Sequence, residues 1–138
     1  MRARPVTTTA QLTRLVEAAI PGPRGRTSPA TQTFQALRIA VNGELNALET
    51  LLAQAADLLT PRGRLAIIAF HSLEDRIVKR FMQRESRDCV CPPSLPGCVC
   101  GHRATFRLPV RSAIQARSSE SDANPRSRSA RLRVAERL

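Results

Sequence analysis

The chain of 138 residues is long enough for one domain with a hydrophobic core, and 42% of its residues are hydrophobic. Basic residues outnumber acidic residues by 22 to 11, and the net charge of +11 favours a polyanionic partner, nucleic acid above all, although a generally arginine-rich composition would give the same excess. The sequence has no Trp or Tyr and only four Phe, which argues against a platform of aromatic side chains that stack on bases. No apolar run approaches the roughly 20 residues that span a bilayer, and the first residues lack the apolar core of a signal peptide, so we expect a cytoplasmic protein without a membrane partner.

Helices are predicted over most of the first 60 residues. The first helix follows a cap at residues 7–9 and ends before Pro21, and its apolar side chains recur at helical spacing: Leu12, Leu15, Val16, Ala19 and Ile20. Residues 21–26 hold two prolines, two glycines and two arginines, which is typical of a loop or a domain hinge. Ser28 and Pro29 then supply a cap and a first-turn proline for a long helix over about residues 30–59, which Gly43 would kink or divide.

The polar side of this long helix carries Gln35, Arg38 and Asn42, roughly one turn apart, so these three side chains share one face. From their spacing alone, the face is either simply solvated or a binding surface.

A short apolar run over residues 65–70 follows the turn at residues 61–63 and predicts an interior strand that is buried on both faces. A polar cluster comes directly after it, and a helix over about residues 74–84 follows. In an open parallel α/β sheet, ligands collect at the carboxyl ends of the strands, so this cluster is the first candidate site. Its members are His71, Ser72, Glu74, Asp75 and Arg76.

Two interpretations of the polar cluster remain open. His71, Glu74 and Asp75 could each transfer a proton, and Arg76 could hold a phosphate. Alternatively, Ser72 caps the following helix and the two acids complement the helix dipole, which would explain these residues without a catalytic role.

Four cysteines in the pattern C-x-C-x6-C-x-C are a candidate zinc site, because zinc takes four thiolates in a tetrahedron. They are Cys89, Cys91, Cys98 and Cys100. The single residue within each pair is fewer than structural zinc sites usually have, so reduced loop thiols are an alternative, as are disulfides or a redox role. His102 is a possible substitute ligand.

The C-terminal part is strongly basic, with nine arginines and three acids from residue 101 onward. Residues 105–110 alternate weakly and predict a strand, whereas residues 131–137 are compatible with a strand or a helix. The glycines fit neither a G-x-G-x-x-G pattern nor a Walker A loop.

Three stretches of the chain closely resemble segments of the MraW/RsmH family and occur in the same order as in that family. They are TFQALRIAVN at residues 33–42, GRLAIIAFHSLEDRIVKRF at residues 63–81 and NPRSRSARLRVAER at residues 124–137. These are bacterial S-adenosylmethionine-dependent methyltransferases that modify the N4 amine of a cytidine in small-subunit ribosomal RNA. The resemblance covers practically the whole chain, but only the C-terminal portion of the family. It implies an α/β fold, in which residues 27–138 are the C-terminal part of a Rossmann-like methyltransferase sheet and residues 1–26 are the end of a helical insert domain with its hinge.

For the complete enzyme that the resemblance implies, sheet geometry and charge lead us to expect roles for two groups of residues. His71, Ser72, Glu74 and Arg76 would shape the wall of the cytidine site, and the cofactor cleft would be lined or braced by Phe34, Gln35, Arg38 and Asn42. The C-terminal arginines would contact the phosphates of ribosomal RNA. By the same analogy, the two terminal strands lie beside the strand at residues 65–70, whose other edge would be open.

The family's glycine-rich cofactor loop, acidic ribose contact and catalytic turn cannot be located here. We therefore expect a truncated chain that needs a missing N-terminal half, or a second copy, for activity. The alternative is a non-catalytic RNA-binding module with a metal-stabilised cysteine loop.

Overall fold

The computed structural model describes residues 5–20 and 28–138. Contacts between residues divide the chain into two compact units, Met1–Glu44 and Leu45–Leu138. The predicted hinge at residues 21–26 lies outside the described residues, and the predicted division between an insert domain and a methyltransferase domain stays a prediction.

The first unit contains two helices that pack against each other, α1 (Thr9–Ala19) and α2 (Pro29–Asn42). Both begin as the sequence predicts: the Thr8 hydroxyl accepts a hydrogen bond from the backbone N–H of Gln11 at 3.2 Å, and the Ser28 hydroxyl accepts one from that of Ala30 at 3.3 Å. Ala30 is buried, and α2 ends at Gly43, whose φ of +62° is the left-handed conformation that glycine adopts without strain. The expected division of the long helix at Gly43 is therefore confirmed.

The second unit is a small antiparallel sheet with helices. It begins with α3 (Glu44–Leu58), whose first residue still belongs to the first unit, followed by β1 (Arg64–Ala69) and α4 (Ser72–Glu85). It continues with β2 (Phe106–Arg107), β3 (Ile114–Gln115), α5 (Ser118–Ala123), a 3-10 turn (Pro125–Ser129) and β4 (Arg131–Arg137). Residues 131–137 thus form a strand and not a helix.

β4 is the strand around which the sheet is built, because β1, β2 and β3 all pair with it in antiparallel orientation. In the β1–β4 register, Leu65 lies opposite Ala135 and Ala69 lies opposite Arg131. The edge of β1 away from β4 pairs with no strand in the described part of the chain, as the resemblance led us to expect.

The core of this unit lies between α3, α4 and one face of the sheet. Its buried side chains are Leu52, Ala55, Val78, Met82, Phe106 and Ala135. Phe81 packs on Phe106 edge to face with ring centroids 5.9 Å apart. Because α4 contacts β1, β2 and β4, the core fixes the orientation of this helix on the sheet.

The prediction that β1 is an interior strand buried on both faces is wrong. Side chains along it alternate between half-buried or buried and exposed, and Ile68 is 57% exposed. A continuous apolar run shows that the side chains on both faces of a strand are suited to burial. Burial on both faces also requires other elements that cover the second face. In the described residues, the core covers only the face that carries Leu65 and Ile67.

Candidate functional site

The turn from β1 into α4 is held by a reciprocal pair of side-chain caps. Nδ1 of His71 accepts a hydrogen bond from the backbone N–H of Glu74 at 3.3 Å. Oε2 of Glu74 accepts hydrogen bonds from the backbone N–H groups of Phe70 at 3.0 Å and His71 at 3.4 Å. The capping residue is therefore His71, and the expectation that Ser72 caps this helix is wrong by one position. Ser72 is the first helical residue and is exposed.

The capping role also fixes the tautomer of His71. Because Nδ1 is the acceptor, the imidazole proton lies on Nε2. This nitrogen is buried and lies 3.2 Å from Oε1 of Glu74, but without the geometry of a hydrogen bond. The structure thus brings His71 and Glu74 together, as the sequence suggested, and gives both a local role at the start of the helix.

Asp75 does not face the same turn; it is buried and ion-paired with β4. Its carboxylate accepts hydrogen bonds from Nε of Arg133 at 2.7 Å and from the terminal nitrogen Nη2 of Arg133 at 3.2 Å, and Arg131 adds a third at 3.4 Å. These bonds, chiefly those from Arg133, lower the pKa of Asp75 despite its burial. A carboxylate held ionised in this way is a weak base, so Asp75 is a structural residue and not a proton-transfer candidate.

Arg76 belongs to a row of basic side chains that the sequence interpretation did not single out. Arg76, Arg80 and Arg84 follow each other at intervals of four residues on α4, and Arg87 lies just beyond its end. We call these four residues the α4 basic stripe. All four side chains are exposed, and the spacing i, i+4, i+8 of Arg76, Arg80 and Arg84 in the sequence would have revealed the row.

The residues expected to brace a cofactor lie on α2, in the first unit. Arg38 and Asn42 share a face, as predicted, and both contact Glu44: Nε of Arg38 lies 2.9 Å from Oε1 of Glu44, and Nδ2 of Asn42 donates to the same oxygen at 3.0 Å. Phe34 and Gln35 are half-buried. The face therefore carries a local polar network, and the proposed cofactor role of these four residues stays a prediction.

The four cysteines form a single cluster. All four sulfurs lie within 4.8 Å of one another, with 3.6 Å between Cys98 and Cys100 and 3.9 Å between Cys89 and Cys100. None is in a disulfide. His102 is not part of the cluster, because its Nε2 lies 3.1 Å from the carbonyl oxygen of Arg84 in a hydrogen bond.

The thiols of the cluster differ in their acidity. Hydrogen bonds from the backbone N–H groups of Val90 and His102 lower the pKa of Cys100 to about 6. The backbone N–H of Cys91 acts in the same direction on Cys89, but the neighbouring thiols outweigh it and raise the pKa of Cys89 to about 12. Of these two thiols, that of Cys100 is therefore the more acidic.

Within the described ranges, 5–20 and 28–138, no helix has both the length and the apolar character required to cross a membrane. The described architecture is that of a mixed α/β protein, in which an antiparallel sheet carries a capped helix directly after its edge strand. The chain matches the family model described as the MraW methylase family over residues 1–138, and it belongs to that family.

Curated relatives support the same assignment. The chain is 54% identical over 135 residues to the ribosomal RNA small subunit methyltransferase H of Dehalococcoides mccartyi, a match that covers 98% of this chain and 39% of the relative. The protein of the same name from Thermomicrobium roseum is 56% identical over 138 residues, with 99% of this chain and 42% of the relative covered. That of Symbiobacterium thermophilum is 52% identical over 139 residues, with 99% and 44% covered. The chain thus spans about two fifths of the length of these relatives, and the resemblance to the C-terminal portion of the family is confirmed.

Proposed function

We propose that this chain provides the C-terminal part of an S-adenosylmethionine-dependent methyltransferase that methylates the N4 amine of a cytidine in small-subunit ribosomal RNA. The observation that carries the proposal is the family match over residues 1–138, together with relatives that are named ribosomal RNA small subunit methyltransferases. Activity would require this chain together with the sequence that makes up the rest of those relatives. A substrate of this kind would place the protein in the cytoplasm.

The residues present here do not by themselves make a complete cofactor site. The sequence has no G-x-G-x-x-G loop, and Arg38 and Asn42, two of the three polar residues on the proposed bracing face, are already bonded to Glu44. S-adenosylmethionine would supply the electrophilic methyl group. We infer that Phe34, Gln35, Arg38 and Asn42 brace its cleft from one side, while the principal contacts come from outside this chain.

The contribution to the substrate site would come from the start of α4. His71 and Glu74 fix the turn, and the exposed side chains of Ser72 and Arg76 are available to contact RNA. The amine of cytidine can lose its proton to water, so these groups would shape and orient the site without acting as a strong base. The α4 basic stripe and the C-terminal arginines would bind phosphates, and binding should then weaken steeply as the salt concentration rises.

A chimera tests this proposal. The 138 residues would replace the matching segment of the Thermomicrobium roseum relative, and the transfer of labelled methyl groups from S-adenosylmethionine to small-subunit ribosomal RNA would be measured. We expect methylation by the chimera, a clear loss in the Arg76→Ala variant, and no loss in the matched Lys79→Ala variant, which removes another exposed basic residue of α4 outside the stripe. A folded chimera that transfers no methyl groups would contradict the proposal.

A second candidate function is a non-catalytic RNA-binding module, favoured by the basic stripe next to the cysteine loop. This alternative predicts salt-sensitive RNA binding by the isolated chain and no methylation by the chimera.

A further inference from the structure

The loop between α4 and β2, residues 86–105, has no hydrophobic core of its own. It contains no regular helix or strand, and its apolar side chains bury little area: Val90 is 40% exposed, Leu95 44% and Val99 81%. Its ends are fixed, because Thr105 donates a backbone hydrogen bond to Glu85 at 2.9 Å and Ala104 donates one to the carboxylate of Asp88 at 3.2 Å. His102, whose Nε2 lies 3.1 Å from the carbonyl oxygen of Arg84, is a further anchor near the second end, but none of the described hydrogen bonds joins residues 89–101 to α4 or to the sheet. A loop without a core of this kind is commonly held by a crosslink.

The cysteine sulfurs have the spacing of a tetrahedral metal site. With a zinc–sulfur distance of about 2.3 Å, the edge of a tetrahedron of four sulfurs is about 3.8 Å. The distances of 3.6 Å between Cys98 and Cys100 and 3.9 Å between Cys89 and Cys100 lie on either side of this value. Since all four sulfurs lie within 4.8 Å of one another, a single ion could contact all of them with small side-chain adjustments.

Backbone donors around the cluster also fit sulfurs that carry negative charge. The N–H of Cys91 points at the sulfur of Cys89 at 3.4 Å, and the N–H of Val99 points at the sulfur of Cys91 at 3.5 Å. Such donors stabilise thiolates and orient them, as the outer hydrogen bonds of metal sites do.

The surroundings of the cluster compensate the charge that such a centre would have. Four thiolates around one divalent ion carry a net charge of roughly −2. Three members of the α4 basic stripe, Arg80, Arg84 and Arg87, line a cavity of about 240 Å³ together with Cys89 and Cys91. Guanidinium groups next to the cluster would lower the electrostatic cost of collecting four thiolates in one place.

From this geometry we propose that Cys89, Cys91, Cys98 and Cys100 bind one Zn²⁺ as a closed, structural tetrathiolate site. The ion joins the two ends of the proline-rich segment and holds it beside the C-terminal end of α4. Because all four positions around the metal are thiolates, no position is left for water or substrate, and the site is structural and not catalytic. This proposal is independent of the methyltransferase activity.

The test uses the complete 138-residue chain, reduced and stripped of metal under anaerobic conditions, and titrated with Co²⁺ as a spectroscopic substitute for Zn²⁺. We expect one equivalent of Co²⁺ to give intense sulfur-to-cobalt charge-transfer absorption with tetrahedral ligand-field bands. One equivalent of Zn²⁺ should then abolish these bands. The spectrum reports the ligand set directly, so the result does not depend on the metal-free chain being folded.

Two variants make the assay specific. Cys98→Ser removes one ligand and should lower the zinc affinity by at least about 100-fold, the upper end of what the loss of an outer-shell partner costs. Val99→Ser introduces the same side chain between two cysteines, at a position 81% exposed, and should bind zinc like the unchanged chain. An octahedral cobalt spectrum, a Cys98→Ser variant that binds as tightly as Val99→Ser, or a freshly isolated chain with disulfides and no metal would each overturn the proposal. None of these readouts involves S-adenosylmethionine or RNA, so they are distinguishable from a failure of the proposed function.

Discussion

The ion pair between α4 and β4 offers a quantitative test of how this unit is held together. Asp75 and Arg133 are nearly buried, with 10% and 11% of their side chains exposed, and they share two hydrogen bonds. Replacement of Asp75 by Ala leaves the guanidinium of Arg133 without its partner in a site that water hardly reaches. Removing one member of a buried ion pair typically costs about 3–5 kcal/mol. We expect the free energy of unfolding to fall by about 3 kcal/mol, the low end of this range. The reason is that Arg131, the second partner of Asp75, is half exposed, so water can solvate it when the carboxylate is removed.

The measurement is urea unfolding of the 138-residue chain followed by far-ultraviolet circular dichroism. The matched control is Asp57→Asn, an exposed acid on α3, which should change the free energy of unfolding by less than about 0.5 kcal/mol. Asp75→Ala and Arg133→Ala together should destabilise less than the sum of the two single changes, because the second change removes a charge that the first left unpaired. An Asp75→Ala variant as stable as Asp57→Asn, or strictly additive effects of the two changes, would refute this view of the core.

Three further predictions concern the cap, the pH dependence and the basic stripe. His71→Ala should lower the free energy of unfolding by about 1 kcal/mol, whereas His71→Asn should retain most of the cap. If methylation by the chimera falls in both variants, the imidazole lies at the substrate. Full methylation by the His71→Asn chimera would show that His71 only caps the helix. The pKa values of the Asp75 and Glu136 carboxyls are lowered in the folded chain, that of Glu136 mainly by its hydrogen bond from Arg107. The stability that these two groups contribute is therefore complete above their ordinary pKa of about 4. It is lost as the pH falls through their lowered pKa values in the folded state. Thermal unfolding followed from pH 7 to pH 2 should show this loss, and a melting temperature that stays constant or rises in acid would contradict it. Finally, Arg80→Ala should lower the affinity for ribosomal RNA and the salt dependence of that affinity. Gln83→Ala, on the same helix, should change neither the affinity nor its salt dependence. Equal salt slopes for Arg80→Ala and the unchanged chain would argue against phosphate contacts by the α4 basic stripe.

Local patterns in the sequence were sufficient to predict where several elements begin and end. Ser28 and Pro29 start α2, and Gly43 ends it, because caps, first-turn prolines and left-handed glycines act through the backbone within one turn. The strand predicted at residues 65–70 is β1 within one residue at each end. The same reasoning misplaced the cap of α4, since an imidazole nitrogen took the acceptor role that is more often filled by the hydroxyl of a serine such as Ser72.

Features that depend on distant parts of the chain were not accessible in this way. The partners of Asp75 are arginines 56 and 58 residues further along, and no local pattern specifies that pairing. For the same reason, the apolar composition of β1 could not reveal that one of its faces lies exposed in the described chain. The cysteines are intermediate: their sequence pattern gave the candidate ligands, and only the fold showed that all four sulfurs meet while His102 turns to the backbone of α4.

The chemical identity of the nucleoside that the chimera produces tests the proposed N4-methylation of cytidine most directly. Small-subunit ribosomal RNA treated with the chimera and S-adenosylmethionine would be digested to nucleosides and examined by mass spectrometry against synthetic standards. We expect a methylated cytidine that co-elutes with the N4-methyl standard and disappears when the cofactor is omitted. Methylation of another base, methylation of cytidine at another atom, or an unmodified RNA from a folded chimera would contradict it.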